Sequence, residues 1–251
     1  MIGAAAGLAL AGKVPFACSF ACFVTGRFDQ IKLSVAYSGA NVRIVGSHSG
    51  VGIGDDGYSQ QGLEDVALMR SLPTMAVIQP GDDLETAGAV EYLVGHKGPA
   101  FLRTTRQKLP RVNKEGYKFE FGKGVTLVDG SDLTIVASGG TVGNSVAAAA
   151  VLAKQGISTR VINIHTIKPI DVPLLAKAAR ETKRILTVED HQITGGLGGA
   201  VCEALAEVEP VRIRRHGILD VFGESGTPEG LYKHFKLDAD GIAEVARDFL
   251  G

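Results

Sequence analysis

Between Ser47 and Gln61 the chain reads SHSGVGIGDDGYSQQ, a run that gathers one histidine, two aspartates, two glutamines and four glycines. So much glycine disfavours a helix. Three chemistries use such a set: a phosphate cradle of backbone amides, a metal site, or a polar wall against another ligand. The dinucleotide fingerprint fails on spacing, because Gly50, Gly52, Gly54 and Gly57 do not follow G-x-G-x-x-G and the run does not open directly into a helix. Metal binding by His48, Asp55 and Asp56 fails as well. The two aspartates are adjacent and diverge in an extended loop, and neither Glu64 nor Asp65 completes a calcium-loop spacing. No metal ligand is assigned, and the polar wall is the reading kept.

Other reactive types are scattered. His96, His165, His191, His216 and His234 form no HxxxH or HExxH pair, so each reads as structural or surface-exposed, with His191 in VEDH abutting a glycine-rich turn. That turn, TGGLGGAV from Thr194 to Val201, reads as a tight strand-to-helix connection, with anion binding by its amides as the lesser alternative. Cys18, Cys22 and Cys202 are odd in number and lack a CxxC pair. Their number and spacing fit a reducing, cytoplasmic setting, and Cys18 and Cys22 read as buried free thiols near a strand end.

These residues need elements to hold them. The runs VPFACSF, NVRIVGSH, TMAVIQP and PAFLRTT predict buried strands, separated by the helical patterns RFDQIKLSVAYS, LEDVALMRSL and DLETAGAVEYLV. Near-continuous apolar strands spaced by helices predict a parallel sheet covered on both faces. Before them, IGAAAGLALAG predicts a small-residue helix packed closely on a neighbour. Residues 111–123, RVNKEGYKFEFGK, lack helical periodicity and predict a linker or small surface hairpin. A second βα series follows: DLTIVASGG, VGNSVAAAAVLAKQG, STRVINIHT, KRILTVEDH, AVCEALAEV and PVRIRRHGI. The expected fold is α/β with two domains: residues 1–110, the linker 111–123, and residues 124–251.

Composition sets outer limits. With 251 residues, 45% hydrophobic and 21% charged, the chain can bury one large α/β core or two smaller ones. A net charge of −1 gives no basic field for nucleic acid, and no apolar run is long enough to span a membrane.

In a parallel α/β sheet, ligands collect outside the carboxyl ends of the strands. Three segments fall at such ends: Phe16 to Lys32, Ser47 to Gln61, and Pro99 to Pro110. Phe20 and Phe23 would supply aromatic surface, His48, Asp56 and Gln60 directed polar groups, and Arg106 a fork suited to phosphate. That combination fits a heteroaromatic cofactor together with a phosphorylated polyol.

The motifs FVTGRFDQIKLSVAYSG, SHSGVGIGDDGYSQQGLED, MRSLPTMAVIQPGD, FLRTTRQKLP, TIKPID and ILTVEDH occur in an order that resembles the C-terminal half of transketolase, over essentially the whole chain. The resemblance implies a parallel-sheet pyrimidine-binding domain followed by a mixed-sheet C-terminal domain. It also implies transfer of a two-carbon ketol unit from a ketose phosphate to an aldose phosphate in the pentose phosphate pathway. Carried over by motif, Phe23 matches the aromatic that stacks on the aminopyrimidine of thiamine diphosphate, with Phe20 beside it. Gln60 stands where the family places His or Gln near cofactor and reacting oxygen. His48 and Arg106 match substrate-phosphate contacts, and Asp56 matches the carboxylate that binds a sugar hydroxyl. His48 and Gln60 are therefore the expected catalytic groups.

Two parts of the family's site have no match. The family's cofactor-activating glutamate would precede Met1, and none of Glu64, Glu85 or Glu91 aligns with it. The diphosphate-binding domain, with its Mg2+ or Ca2+, has no counterpart in any segment. The resemblance thus implies a partner, an N-terminal subunit carrying that domain, in a hetero-oligomer built as a dimer or an α2β2 assembly. It further implies that the chain alone is inactive. 1-Deoxyxylulose-5-phosphate synthase and the β subunit of a 2-oxo acid dehydrogenase are the rival readings, and a non-catalytic assembly or regulatory subunit is the rival of another class. His48 favours transketolase over the synthase.

Overall fold

The apolar runs become strands. The computed structural model describes all 251 residues, with β1 (Phe16–Phe20), β2 (Arg43–Ser47), β3 (Ala76–Ile78), β4 (Ala100–Arg103), β5 (Val125–Val128), β6 (Leu133–Ala137), β7 (Thr159–Asn163), β8 (Thr166–Lys168), β9 (Arg184–Gln192) and β10 (Arg212–Ile218). Between them lie α1 (Ile2–Leu10), α2 (Ala21–Thr25), α3 (Phe28–Ile31), α4 (Asp65–Ser71), α5 (Asp83–Gly95), α6 (Val142–Ala153), α7 (Val172–Thr182), α8 (Leu197–Ala206), α9 (Pro228–His234) and α10 (Ala239–Leu250). The small-residue helix is α1, which buries Ile2, Ala5 and Ala6.

Two five-stranded sheets result, ordered β1-β2-β4-β3-β8 and β10-β9-β6-β7-β5. The α/β expectation holds, with one difference in the first sheet. β1, β2, β4 and β3 are parallel, but β8, which follows β7 of the second sheet, returns to pair antiparallel with β3. It covers what would otherwise be the open edge of β3. The second sheet is mixed, because β5 runs antiparallel to β7.

Residues 111–123 form no hairpin. Val112 N–H and Asn113 N–H donate to Asp82 Oδ2 at 3.0 and 2.8 Å. Further on, Phe119 stacks against His165 with ring centroids 4.5 Å apart. The connection is thus pinned to α5 and to the second sheet. The run RFDQIKLSVAYS is helical, but α3 passes into a π-helical turn over Lys32–Tyr37. The thiols correct another expectation: Cys18 is exposed on β1, and Cys22 and Cys202 are half-buried.

Apolar clusters join the two units. One hydrophobic cluster runs from Val24, Ile44 and Met69 of the first unit to Val136, Ile162 and Leu175 of the second. A second cluster, around β6 and β9, takes in Val51 and Leu63 from the first. Burial on this scale, at about 25 cal/mol per Å2 of apolar surface, is the main force joining the sheets.

Candidate active site

β1, β2 and β4 are neighbours and parallel, so Phe20, Ser47 and Arg103 end on one rim of the first sheet. Beyond that rim, Phe20 leads into α2, which carries Phe23, while β2 runs into the loop that begins at His48. The three rings stack. Phe20 lies 4.0 Å from the His48 ring with an interplanar angle of 15°, and 5.8 Å from Phe23 at 11°. Phe23 is 50% exposed, so it is no core residue. An open aromatic face at the end of a stack suits a planar heteroaromatic ring.

His48 has a positive φ of 54°, unusual for a residue with a side chain. Its Nδ1 meets Ser47 Oγ at 2.9 Å, and that hydroxyl donates to the Ser19 carbonyl at 3.3 Å. The Ser47 hydroxyl thus holds one nitrogen of the ring and fixes its orientation, while Nε2 has no hydrogen-bond partner within the chain.

Arg106 and Asp56 form a pair. Arg106 Nη1 lies 3.5 Å from Asp56 Oδ1 and donates to the Ile53 carbonyl at 3.1 Å. Both side chains are well exposed, so the pair adds little to stability. Nε and Nη2 of Arg106 have no protein partner, which leaves part of its fork open to an anion. Behind it, a cleft of about 730 Å3 is lined by Gln107, Lys108, Asn144, Tyr232 and Lys233. Phe20 and Phe23 lie outside that lining, so the cleft and the aromatic stack are separate features.

Of the six residues singled out, five thus form two groups: the rings of Phe20, Phe23 and His48, and the Arg106–Asp56 pair. Gln60 joins neither. It is half-buried at the end of a 3-10 turn, Tyr58–Gln60, and its amide donates to Ser59 Oγ at 3.3 Å.

The floor beneath the loop is polar and buried, and sequence reasoning missed it. Arg103 Nε donates to Asp65 Oδ2 at 2.7 Å, and its Nη2 reaches the carbonyls of Gly62 and Asp190 at 2.9 and 3.0 Å. Asp190, at the end of β9, accepts Val51 N–H at 2.8 Å, Gly52 N–H at 3.2 Å and the Tyr232 hydroxyl at 3.0 Å. Its neighbour Glu189 accepts Leu197 N–H and Gly198 N–H at the start of α8, at 2.6 and 2.8 Å. That is the glycine-rich turn, its amides already held by a carboxylate of the chain. Burial pushes Glu189 up to about 7, against the pull of those amides, and pushes His191 down to about 4. The available signal was the acidic pair in VEDH, which sequence alone links to no partner.

Comparison with known proteins accords with this geometry. Residues 1–112 match the family model for the transketolase pyrimidine-binding domain, and residues 122–242 match that for the transketolase C-terminal domain. The chain is 41% identical over 249 residues to the 6-deoxy-6-sulfo-D-fructose transketolase subunit of Clostridium sp. strain MSTE9, covering 99% of this chain and 77% of that one. It is 40% identical over 254 residues to the transketolase of Homo sapiens, covering all of this chain and 40% of the human protein. A solved structure described as a split gene transketolase, inactive beta4 tetramer, superposes with a TM-score of 0.93 at 40% identity, over 99% of this chain and 80% of the other. The chain belongs to the transketolase family, whose pyrimidine-binding and C-terminal domains it carries in that order.

Proposed function

We propose that this chain is the C-terminal subunit of a split transketolase, which moves a two-carbon ketol unit between sugar phosphates in the cytoplasm together with an N-terminal subunit. The observation that carries the reading is the stack of Phe23, Phe20 and His48, with one ring half exposed; the Arg106–Asp56 pair supports it separately. Residues 1–110 act as the pyrimidine-binding domain and 124–251 as the C-terminal domain, joined by 111–123. Thiamine diphosphate, when bound, supplies the thiazolium carbon and the electron sink that C–C cleavage requires. The half-exposed face of Phe23 supports the fit of its aminopyrimidine. Its diphosphate and Mg2+ or Ca2+ are held by the partner subunit.

On this reading each group has a task set by its geometry. Phe23 and Phe20 orient the ring by stacking. His48 Nε2, which has no partner within the chain, hydrogen-bonds the sugar phosphate and serves as a proton-transfer group. Asp56 accepts from a further hydroxyl, and the open fork of Arg106 binds the phosphate. Gln60 closes the cofactor side once a ligand draws its amide away from Ser59. Orientation of two substrates against one reacting carbon is the largest contribution such a site makes.

Co-expression with a chain that carries the diphosphate-binding domain tests this, using xylulose 5-phosphate and ribose 5-phosphate as substrates. Product is expected only when both chains are present, as an assembly of α2β2 type. Robust turnover by this chain alone would overturn the split-enzyme reading. Pyruvate consumption would point instead to the synthase.

A further inference from the structure

The loop that carries the candidate substrate residues does not hold its own shape. From Gly50 to Gly57 its internal backbone hydrogen bonds are confined to short turns, from Gly54 N to Val51 O and from Gly57 N to Gly54 O. Its base is tied within its own domain, by Gly50 N–H to the Gly62 carbonyl at 3.0 Å, but the next two N–H groups, which shape the first turn, are held from the other sheet, 139 positions away. Both oxygens of Asp190 are committed to it, one to Val51 N–H and one to Gly52 N–H, while the Tyr232 hydroxyl fixes the rotation of the carboxylate. Asp190 is 3% exposed, so no water competes for these bonds. The approach is so close that a Cβ on Gly50, whose φ is 76°, would lie 2.1 Å from Asp190 Oδ2. Glycine is required there on both counts.

From this turn a short path leads to the fork. The carbonyl of the next residue, Ile53, accepts from Arg106 Nη1, and the same Nη1 faces Asp56. We infer that Asp190 is a positioning residue for sugar-phosphate binding: by moulding the turn at Val51 and Gly52 it sets where the Ile53 carbonyl, and through it the Arg106 guanidinium, must stand. The carboxyl end of β9, where an open α/β sheet receives a ligand, here receives the chain's own loop. The second domain thereby contributes to substrate affinity without touching substrate. This rests on the reading of Arg106 as the phosphate group's partner.

The test uses the reconstituted two-chain enzyme, with Asp190→Asn and Tyr232→Phe. Asp190→Asn keeps the volume but turns one acceptor into an NH2 group that meets an N–H or a hydroxyl. Loss of a hydrogen bond to a charged group predicts KM for both sugar phosphates raised about tenfold or more, with kcat within about threefold. The dissociation constant of thiamine diphosphate should move by less than about twofold, since Phe20 and Phe23 lie on other elements. KM for a ketose without phosphate should stay near its wild-type value, a selectivity that general loosening of the fold would not produce. Tyr232→Phe should shift KM in the same direction by a smaller factor, and it decides the matter if Asp190→Asn does not assemble. A lowered melting temperature with KM unchanged would overturn the inference, leaving Asp190 a structural tie. Arg106→Ala separates the two readings. If it raises KM for the phosphates while the Asp190 and Tyr232 variants do not, this inference alone fails; if it leaves KM unchanged, the assignment of the phosphate site fails and takes the inference with it.

Discussion

Arg106 sits where a charge is useful to a ligand and nearly useless to the fold. Its side chain is 50% exposed, its carboxylate partner lies at 3.5 Å, and two of its nitrogens have no hydrogen-bond partner in the chain. Removing it should therefore spare stability and cost binding. Arg106→Ala is expected to lower kcat/KM for phosphorylated sugars by about 10- to 100-fold, the worth of a charge-assisted hydrogen bond or two, and to change the melting temperature little. Arg106→Lys should recover only part of the loss, because an ammonium lacks the two-pronged geometry. Steady-state kinetics with phosphorylated and unphosphorylated ketoses check both points. At this scale the sequence was informative about residue types. Phe20, Phe23 and His48 stack, and Arg106 pairs with Asp56, two groups that lie at or beyond the ends of strands whose apolar runs are plain. Asp190 was not legible, because its partners Val51 and Gly52 are backbone amides in another sheet and no side-chain pattern announces them.

Among the elements, α5 shows how one side chain can hold two neighbours. Asp82 is its N-cap, with Oδ1 accepting from Glu85 N–H at 2.9 Å, and its Oδ2 accepts from Val112 N–H, Asn113 N–H and the Asn113 amide. The carboxylate is 2% exposed, so its loss strands several donors away from water. Asp82→Ala is expected to destabilise the protein by about 2–4 kcal/mol, of which about 1 kcal/mol is the cap and the rest the unpaired amides of the connection. Asp82→Asn, which keeps one acceptor oxygen, should lose less. Urea unfolding of the three proteins, compared at equal m-value, measures the difference. The same region marks what periodicity can tell. The strand and helix patterns of both series appear where expected, because burial on one or both faces writes itself into the sequence. β8 was missed, as three residues carry no period, and its pairing with β3 depends on a return across the molecule. The π-helical turn over Lys32–Tyr37 escaped for a different reason: six residues make little more than one turn, too few for a wider apolar spacing to show as a period.

At the scale of the molecule, joining two sheets through a shared interior buries ionisable groups whose protons then report on folding. Burial pushes His165 and His191 down to about 4 and Glu189 up to about 7. The two kinds act with opposite sign. An unfolded histidine takes up its proton near 6.5 while the folded one resists until about 4, so stability falls as pH drops through that window. The folded glutamate keeps its proton to about 7 while the unfolded one loses it near 4.5, so Glu189 makes stability fall as pH rises between those values. Glu189 and His191 lie 3.8 Å apart and both feel the charge of Arg103. His165 is the cleaner probe. It is 1% exposed, packs on Phe119, meets Thr166 Oγ1 through Nδ1, and is influenced by one distant charge, Asp171. With one bound proton worth a slope of about 1.4 kcal/mol per pH unit, His165 contributes up to that slope to the loss of stability on acidification between pH 6.5 and 4, while Glu189, Glu85 and Asp190, raised by burial, act the other way. His165→Gln is expected to lower stability at pH 7 through the lost contact with Phe119, yet to flatten the dependence between pH 6.5 and 4 by up to that slope. Denaturant melts of both proteins at half-unit steps of pH measure it. Parallel curves would mean that His165 ionises alike in the folded and unfolded chains, and that the seam between the sheets is wetter than its packing indicates.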